Sequence, residues 1–238
     1  MIGWITRLVF RSRVLATRFV FDRIISFMVR DEDWREQMLL DRLAAVAGRR
    51  LLGVGPYSFS STLLTALQHP ETSFCAVETR RRAAKFERVA RGKGAANIRF
   101  VRAPTETNLP FENDEFDAVV CAFAFHDRQP SQKLAIATEL SRILRPGGEL
   151  FVIDLDQPQS SQEMRVLRAG SQVWGTDAIL PHLNGSWIGV FSEAKFVGTR
   201  RERSLSLRLA RISVISAKKP VDRPKSVKPA RRPKGRPP

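Results

Sequence analysis

The feature that most constrains the fold is the stretch LLGVGPYSFSS, residues 51–61. It combines a short apolar run, a turn with two glycines and the serine-rich start of an apolar segment. Glycine lets a backbone approach a ligand closely, and a helix N-terminus presents free N–H groups to a nucleotide-like ligand. This order predicts a strand, a ligand-binding turn and a helix in a doubly wound α/β fold. Only Gly53 and Gly55 are present, and Tyr57 and Phe59 stand where a longer glycine series would continue.

Beyond this stretch, buried-strand runs alternate with segments of helical spacing. We predict a parallel sheet from this alternation. The predicted strands are 51–54, 73–77 (ending at Glu78), 98–101, 116–125 and 149–155, and residues 196–203 and 207–216 are predicted to form a final hairpin. One helix is predicted to begin after Asp31, and four more cover 61–67, 80–91, 131–144 and 161–174. A loop with Pro181, Asn184 and Gly185 is predicted to follow the last of them.

Two cysteines lie inside predicted strands. Cys75 occurs in SFCAV and Cys121 in VVCAF. We expect both to be buried free thiols, which is typical of a reducing compartment. With three histidines and no Cys/His cluster at ligand spacing, the sequence predicts no metal site. The predicted location is the cytoplasm, peripheral to a membrane, with an organelle matrix as the alternative.

Charge divides the chain into three regions. Residues 1–30 carry six Arg and one Asp, and residues 218–238 carry nine Lys or Arg and one Asp. The total of +16 less these +5 and +8 leaves +3 on residues 31–217. We therefore predict an N-terminal helix (1–30), a nearly neutral globular domain (31–217) and a basic tail (218–238).

The two ends suggest different partners. Residues 1–30 mix aromatic and aliphatic residues with arginine, which leaves three interpretations open: a helix packed on the domain, a helix on an anionic membrane surface, or a transit peptide. The tail has six prolines and almost no apolar side chains, so we predict that it is disordered and binds RNA or another polyanion.

Several stretches, taken in chain order, resemble the class I S-adenosylmethionine (SAM)-dependent methyltransferases, in particular the ubiquinone/menaquinone C-methyltransferases. The matching pieces are LLGVG, AVE, NLPFENDEFDAVVCAFAFH, ELSRILRPGGELFVIDL, EAKF and ISAKKP, spread over roughly residues 35–219. The resemblance implies a mostly parallel, seven-stranded sheet with helices on both faces and an antiparallel last strand. It also implies SAM as cofactor.

The resemblance assigns roles to individual residues. Gly55 matches the first glycine of the cofactor loop, and Glu78 matches the acid that binds the ribose hydroxyls, 23 residues later. Thr105 matches the position of an acid near the adenine, and the neighbouring Glu106 is the candidate for that contact. Ala122 to His126 would lie where cofactor and acceptor meet, and His126 is a candidate base or acceptor-orienting residue.

Other positions depart from the family pattern. Gly53 stands where an acid usually ends the first strand, and Tyr57 replaces the second loop glycine near the methionine portion of SAM. The predicted function is methyl transfer from SAM to an unidentified acceptor, possible acceptors including lipids and quinone-like small molecules. The alternative is a non-catalytic methyltransferase-like scaffold or binding protein whose basic termini contact membrane or RNA.

Overall fold

The computed structural model describes residues 49–55, 58–78, 83–207 and 209–221. The predicted N-terminal helix (1–30), the predicted helix after Asp31 and most of the basic tail lie outside these residues. No helix in the described ranges is both long and apolar enough to span a bilayer.

Seven strands and six helices follow one another in the described part of the chain. The strands are β1 (Arg50–Val54), β2 (Ser73–Glu78), β3 (Ile98–Arg102), β4 (Phe116–Ala122), β5 (Leu144–Leu155), β6 (Val197–Leu207) and β7 (Ala210–Lys218). The helices are α1 (Ser58–Gln68), α2 (Ala83–Gly92), α3 (Pro130–Ile143), α4 (Ser161–Trp174), α5 (Thr176–Leu183) and α6 (Gly189–Glu193), with a single 3₁₀ turn at Ser186–Ile188.

The strands form one sheet in the order β3-β2-β1-β4-β5-β7-β6. Neighbours from β3 to β5 are parallel, whereas β7 is antiparallel to both β5 and β6. The predicted α/β fold, the mostly parallel seven-stranded sheet, the antiparallel last strand and the terminal hairpin are confirmed. Strand order reverses between β1 and β4, so the carboxyl ends of these two strands form the topological switch point where such sheets bind ligands.

Helices cover both faces of the sheet. Alternate residues of β4 point to opposite sides: Ala118 and Val120 pack with α1, α2, α4 and α5, while Val119 and Cys121 pack with α3 and α6. Both faces of the central strands are therefore apolar, as expected for a parallel sheet buried between two helical layers. Cys75 and Cys121 are buried free thiols, as predicted.

Several predicted boundaries are wrong. The hairpin turn is one of them, because the first strand runs on to Leu207 rather than ending at 203 and the second begins at Ala210 rather than at 207. Residues predicted as a loop after α4 form helix α5, with Pro181 inside it; packing of the buried Ala178, Ile179 and His182 offsets the hydrogen bond that proline cannot make. Strand β4 ends at Ala122 rather than Phe125, because Phe123 has φ +55° and leaves the extended conformation. Strand β5 begins at Leu144 rather than at residue 149, and its pairing with β4 shifts register between Phe116 and Ala118.

The folded domain extends beyond the predicted boundary at residue 217. Lys218 is the last residue of β7 and pairs with Glu149. The backbone of Lys219 exchanges hydrogen bonds with Gly147 and Gly148, and its ammonium donates to Asp114 and to the Leu144 carbonyl. The first residues of the predicted tail therefore belong to the sheet and its bottom edge.

Candidate functional site

The switch point is closed by a contact that only glycine permits. Gly55 follows β1 with φ +104°, and a Cβ atom placed there would lie 2.1 Å from the carbonyl oxygen of Ala122 at the end of β4. A side chain is excluded both by the backbone conformation and by a backbone oxygen that cannot rotate away. The structure therefore brings Gly55 and Ala122 into contact at the carboxyl edge of the sheet, where the predicted cofactor loop begins.

The other residues singled out in this loop, Gly53, Tyr57 and Phe59, are not seen at the edge of the sheet. Gly53 lies within β1, where its Cα is registered with Ala76 and Val120, so it is part of the sheet and not of its edge. Tyr57 lies outside the described residues. Phe59 belongs to the first turn of α1 by its backbone.

Glu78 is the last residue of β2, the neighbour of β1. Only 7% of its surface is exposed, and its carbonyl accepts a hydrogen bond from Ala103 N at 3.3 Å. It therefore lies at the carboxyl edge, one strand away from Gly55. A carboxylate there can accept both protons of a diol.

The two candidates for the adenine contact have different surroundings. Thr105 is exposed, and its hydroxyl lies 3.0 Å from that of Thr107. Glu106 is buried, and its carboxylate accepts a hydrogen bond from Arg128 at 3.3 Å. Arg128 was not predicted, because the pair joins the loop after β3 to the loop after β4. Of the two candidates, Thr105 and Glu106, only Glu106 is buried.

The residue that follows β4 is strained. Phe123 is bulky and buried, yet it takes φ +55°, and its N–H donates to the Ile153 carbonyl of β5 at 2.8 Å. Left-handed backbone is rare for such a residue and costs about 1–3 kcal/mol. The strain redirects the chain, so that His126 turns back over the end of β5.

His126 and Asp154 form a buried pair at this edge. The imidazole Nδ1 lies 2.8 Å from Asp154 Oδ1, and both residues are almost completely buried. Asp154 also accepts from the backbone N–H groups of Phe125 and Leu155, each at 2.8 Å. Burial alone would lower the pKa of His126, but the Asp154 carboxylate outweighs it and raises that pKa.

The pair has the converse effect on Asp154. Burial favours the neutral carboxyl, but the charge and hydrogen bond of His126, with the backbone donor Phe125, hold the pKa of Asp154 below its usual range. The aspartate is thus kept ionised inside the protein. The sequence carried one signal for it, a carboxylate inside the apolar run FVIDL of a central strand.

Two more buried groups flank the pair. Lys133, on α3, donates to the carbonyls of Arg128 (2.8 Å) and Ala178 (2.7 Å), and burial lowers its pKa to about 8. His182, on α5, lies 2.7 Å by Nδ1 from the Leu155 carbonyl, and burial lowers its pKa to about 3. Lys133 thereby ties the start of α5 to α3, and sequence reasoning missed both residues.

Part of the described chain matches a known protein family. Residues 52–148 match the family model described as a methyltransferase domain. The chain is 38% identical over 64 residues to the ubiquinone/menaquinone biosynthesis C-methyltransferase UbiE of Marinomonas sp. (strain MWYL1), covering 27% of this chain and 24% of that protein. Over 62 residues it is 42% identical to UbiE of Hahella chejuensis, covering 26% and 24%. The match thus spans about a quarter of the length of these relatives.

Solved structures share the fold over a larger part of the chain. YcgJ of Bacillus subtilis superposes with a TM-score of 0.57 at 17% identity, covering 76% of this chain and 97% of that one. A SAM-dependent methyltransferase from Methanosarcina mazei gives 0.59 at 17%, covering 73% and 93%. PigF, solved with SAH, gives 0.58 at 17%, covering 92% and 73%. The predicted resemblance is confirmed to this extent: residues 52–148 match a methyltransferase-domain model, and the described chain shares its fold with solved SAM-dependent methyltransferases.

Proposed function

We propose that this protein transfers a methyl group from SAM to a small-molecule acceptor. The observation that carries the proposal is the methyltransferase-domain match over residues 52–148, which ends within β5 and includes the Gly55–Ala122 contact and Glu78. Methyl transfer is a displacement at a sulfonium carbon, so the protein mainly has to align the two reactants and exclude water. SAM supplies the methyl group when bound.

The described residues fit SAM at this edge. Gly55 keeps the turn after β1 free of a side chain, and Glu78 places a buried carboxylate at the next strand end, where ribose hydroxyls would meet it. Glu106, the residue predicted to contact the adenine, is also buried. The roles of Gly53, Tyr57, Thr105 and Ala122 toward SAM stay predictions.

The proposed acceptor is quinone-like or lipid-like. Its support is the identity with UbiE proteins, whose names state ubiquinone and menaquinone biosynthesis, and it extends over only about a quarter of those proteins. We further propose that residues 1–30 contact an anionic membrane and that the tail contacts polyanions, on the basis of their composition. A protein with these contacts would work at the cytoplasmic membrane surface.

Calorimetric titration with SAM and with its demethylated product tests the proposal. Glu78→Gln removes the carboxylate and should weaken SAM binding by about 1.5–3 kcal/mol, the range for a hydrogen bond to a charged group. Glu71→Gln is the matched control, since Glu71 lies just before β2 at the opposite end of the same strand and is exposed. Binding by Glu78→Gln equal to that of the control would remove Glu78 from the site.

The same titration distinguishes the alternative function. The replacement of loop glycines by Tyr57 and Phe59 favours a non-catalytic scaffold as the second candidate. If the wild-type chain does not bind SAM at millimolar concentration, the enzyme proposal fails and the scaffold stands. Binding of SAM together with turnover of an acceptor would reject the scaffold.

A further inference from the structure

We propose that an exposed basic face formed by α2 and β3 binds the surface of a membrane that contains anionic lipids. This face, the α2–β3 surface, consists of the exposed residues Lys85, Arg88, Val89, Arg91, Lys93 and Arg102. The inference does not depend on SAM or on methyl transfer. It is carried by the positive charge of this face, by the scarcity of carboxylate partners for that charge within the described residues, and by the aliphatic side chain among the cations.

One side of α2 is held against the sheet, which leaves the other side exposed. The ring of Phe86 lies 5.9 Å from the ring of Phe100 on β3, between the helix and the strand. Lys85, Arg88 and Val89 are separated by three and four residues, so they lie side by side on the exposed side of the helix. Helix α2 therefore presents two cations and an aliphatic side chain as neighbours.

Strand β3 extends this face to the carboxyl edge of the sheet. Phe100 packs in the core on the side of α2, and Arg102, two residues later, lies on the same side of the strand. Arg99 lies on the other side, where it pairs with Glu115 at 3.7 Å. Arg102 is registered with Glu78, the last residue of β2. A membrane held on the α2–β3 surface would therefore lie beside the edge that carries the candidate site.

The positive charge of the predicted globular domain comes from this stretch. Residues 83–102 carry six Lys or Arg and one Glu, a net charge of +5. Residues 31–217 carry +3 in total, so the domain without this stretch has a net charge of −2 (+3 less +5). The surface potential of a membrane with anionic lipids is negative and attracts clustered Lys and Arg side chains. The charge of the α2–β3 surface is therefore complementary to such a membrane.

These cations have few carboxylate partners in the part of the chain that the structure describes. Of the five, only Arg91 forms an ion pair there, with Glu87 at 3.8 Å. On other elements cations are closely paired: Arg142 with Glu139 and Lys218 with Glu149, each at 2.7 Å. The α2–β3 surface therefore presents positive charge that the described carboxylates do not neutralise.

Aliphatic side chains favour a lipid surface over a nucleic acid as the occupant. Val89 is 37% exposed, and Leu67, near the end of α1 in the same helical layer, is 39% exposed. Asn97, which follows α2, donates to the carbonyl of Ala66 at 3.0 Å and so ties the ends of the two helices together. Among the described residues, the α2–β3 surface has no exposed aromatic ring on which a base could stack. Cations around exposed aliphatic side chains are typical of a membrane-surface contact.

Co-sedimentation of the full-length chain with lipid vesicles tests the inference. Vesicles of phosphatidylcholine and phosphatidylglycerol in equal parts should bind the chain, less tightly as salt is raised, and vesicles of phosphatidylcholine alone should bind it far more weakly. Lys85→Gln combined with Arg88→Gln should lower the partition coefficient by about 30-fold at low salt, about 5-fold for each charge removed. Residues 1–30 and the tail are the same in every variant, so they do not account for the difference.

The matched control removes the same charge from another helix. Arg165 and Arg168 are also exposed and three residues apart, but they lie on α4, which packs on β7 instead of β3. Arg165→Gln combined with Arg168→Gln should change vesicle binding far less. Equal losses in the two double variants would mean that only net charge matters, and would overturn the inference.

A substitution that keeps the charge distinguishes lipid from RNA. Val89→Ser should weaken binding to the anionic vesicles and leave binding to a single-stranded oligouridylate unchanged. If the Lys85/Arg88 double variant loses oligouridylate binding while Val89→Ser changes neither interaction, the surface binds RNA and the inference is wrong.

Acylation of lysine amines in the wild-type chain, followed by mass spectrometry, needs no variant. Anionic vesicles should protect Lys85 and Lys93. Lys195, which is exposed between α6 and the edge strand β6 at the other end of the sheet, should react as it does without vesicles. Unchanged reactivity of Lys85 and Lys93 in the vesicle-bound protein would overturn the docking surface.

Discussion

Replacing Gly55 with alanine should destabilise the domain more than the same change at any open glycine. At φ +104° an alanine costs about 1–3 kcal/mol of backbone strain. Its Cβ would also lie 2.1 Å from the Ala122 carbonyl oxygen, and such overpacking costs about 1–3 kcal/mol more. We therefore expect Gly55→Ala to lower the free energy of unfolding by about 2–6 kcal/mol, a large part of the usual stability of a domain.

Two other glycines separate the contributions. Gly94 has φ +86° but no heavy atom within 4 Å of an added Cβ, so Gly94→Ala measures the backbone strain alone. Gly92 ends α2 without positive φ and is equally open, so Gly92→Ala should be neutral or stabilising by about 0.4–1 kcal/mol. The difference between Gly55→Ala and Gly94→Ala is then the cost of the contact with β4.

Urea denaturation followed by tryptophan fluorescence measures these differences, since Trp174 and Trp187 are buried in the two layers. Gly55→Ala should also weaken SAM binding in conditions where it is folded, because the ends of β1 and β4 must separate. A loss at Gly55 no larger than at Gly94 would refute the proposed contact.

The remaining predictions concern pH and the chain ends. Because the pKa of His182 is lowered from 6.5 to about 3, the unfolded chain binds this proton first as pH falls below 6.5, so stability declines from there toward pH 3. His182→Asn should flatten this part of the stability curve, while His69→Asn should not. Asp156 is hydrogen-bonded by Arg201, and its pKa is lowered from 3.8 to about 2. The stability that Asp156 contributes is therefore present above pH 3.8 and lost as the pH falls toward 2. Asp156→Asn should lower the free energy of unfolding at neutral pH and remove that loss in acid titrations. Deleting residues 222–238 should weaken binding to RNA and acidic vesicles and reduce its salt dependence, and undiminished binding would contradict the polyanion role of the tail. Deleting residues 1–30 should lower flotation with anionic liposomes, and equal recovery of both proteins in the soluble fraction would exclude the membrane helix.

The sequence predicted the elements of the fold better than their ends. Local periodicity is enough to identify a buried strand or an amphipathic helix, and the family resemblance supplied the antiparallel last strand. The end of β4 depends instead on Phe123, which has a positive φ and is hydrogen-bonded to Ile153 on the neighbouring strand. Helix α5 likewise contains Pro181, a residue that is typical of loops. The packing of its buried side chains keeps this segment helical, and local sequence does not show that packing.

The candidate site was predictable only where one residue carries the information. Gly55, Glu78 and His126 could be proposed because each stands at, or a few residues after, the end of a strand whose position the pattern reveals. Asp154 and Lys133 were missed because their roles depend on partners far away in the chain: Asp154 is 28 residues from His126, and Lys133 is 45 residues from Ala178. A pattern along one chain does not contain such pairings.

The costs that this fold tolerates are concentrated at one edge of the sheet. Gly55 and Phe123 have unusual backbone conformations, and Asp154, Lys133 and His182 are ionisable groups held away from water, all near the carboxyl ends of β1, β4 and β5. The buried positions in the middle of these strands are apolar, so core packing alone does not require these features. Strain and buried charge persist when the surrounding structure over-determines them, and they cluster where a ligand is bound or a reaction occurs. Their coincidence at the switch point is therefore an argument for function at this edge that does not depend on any sequence match.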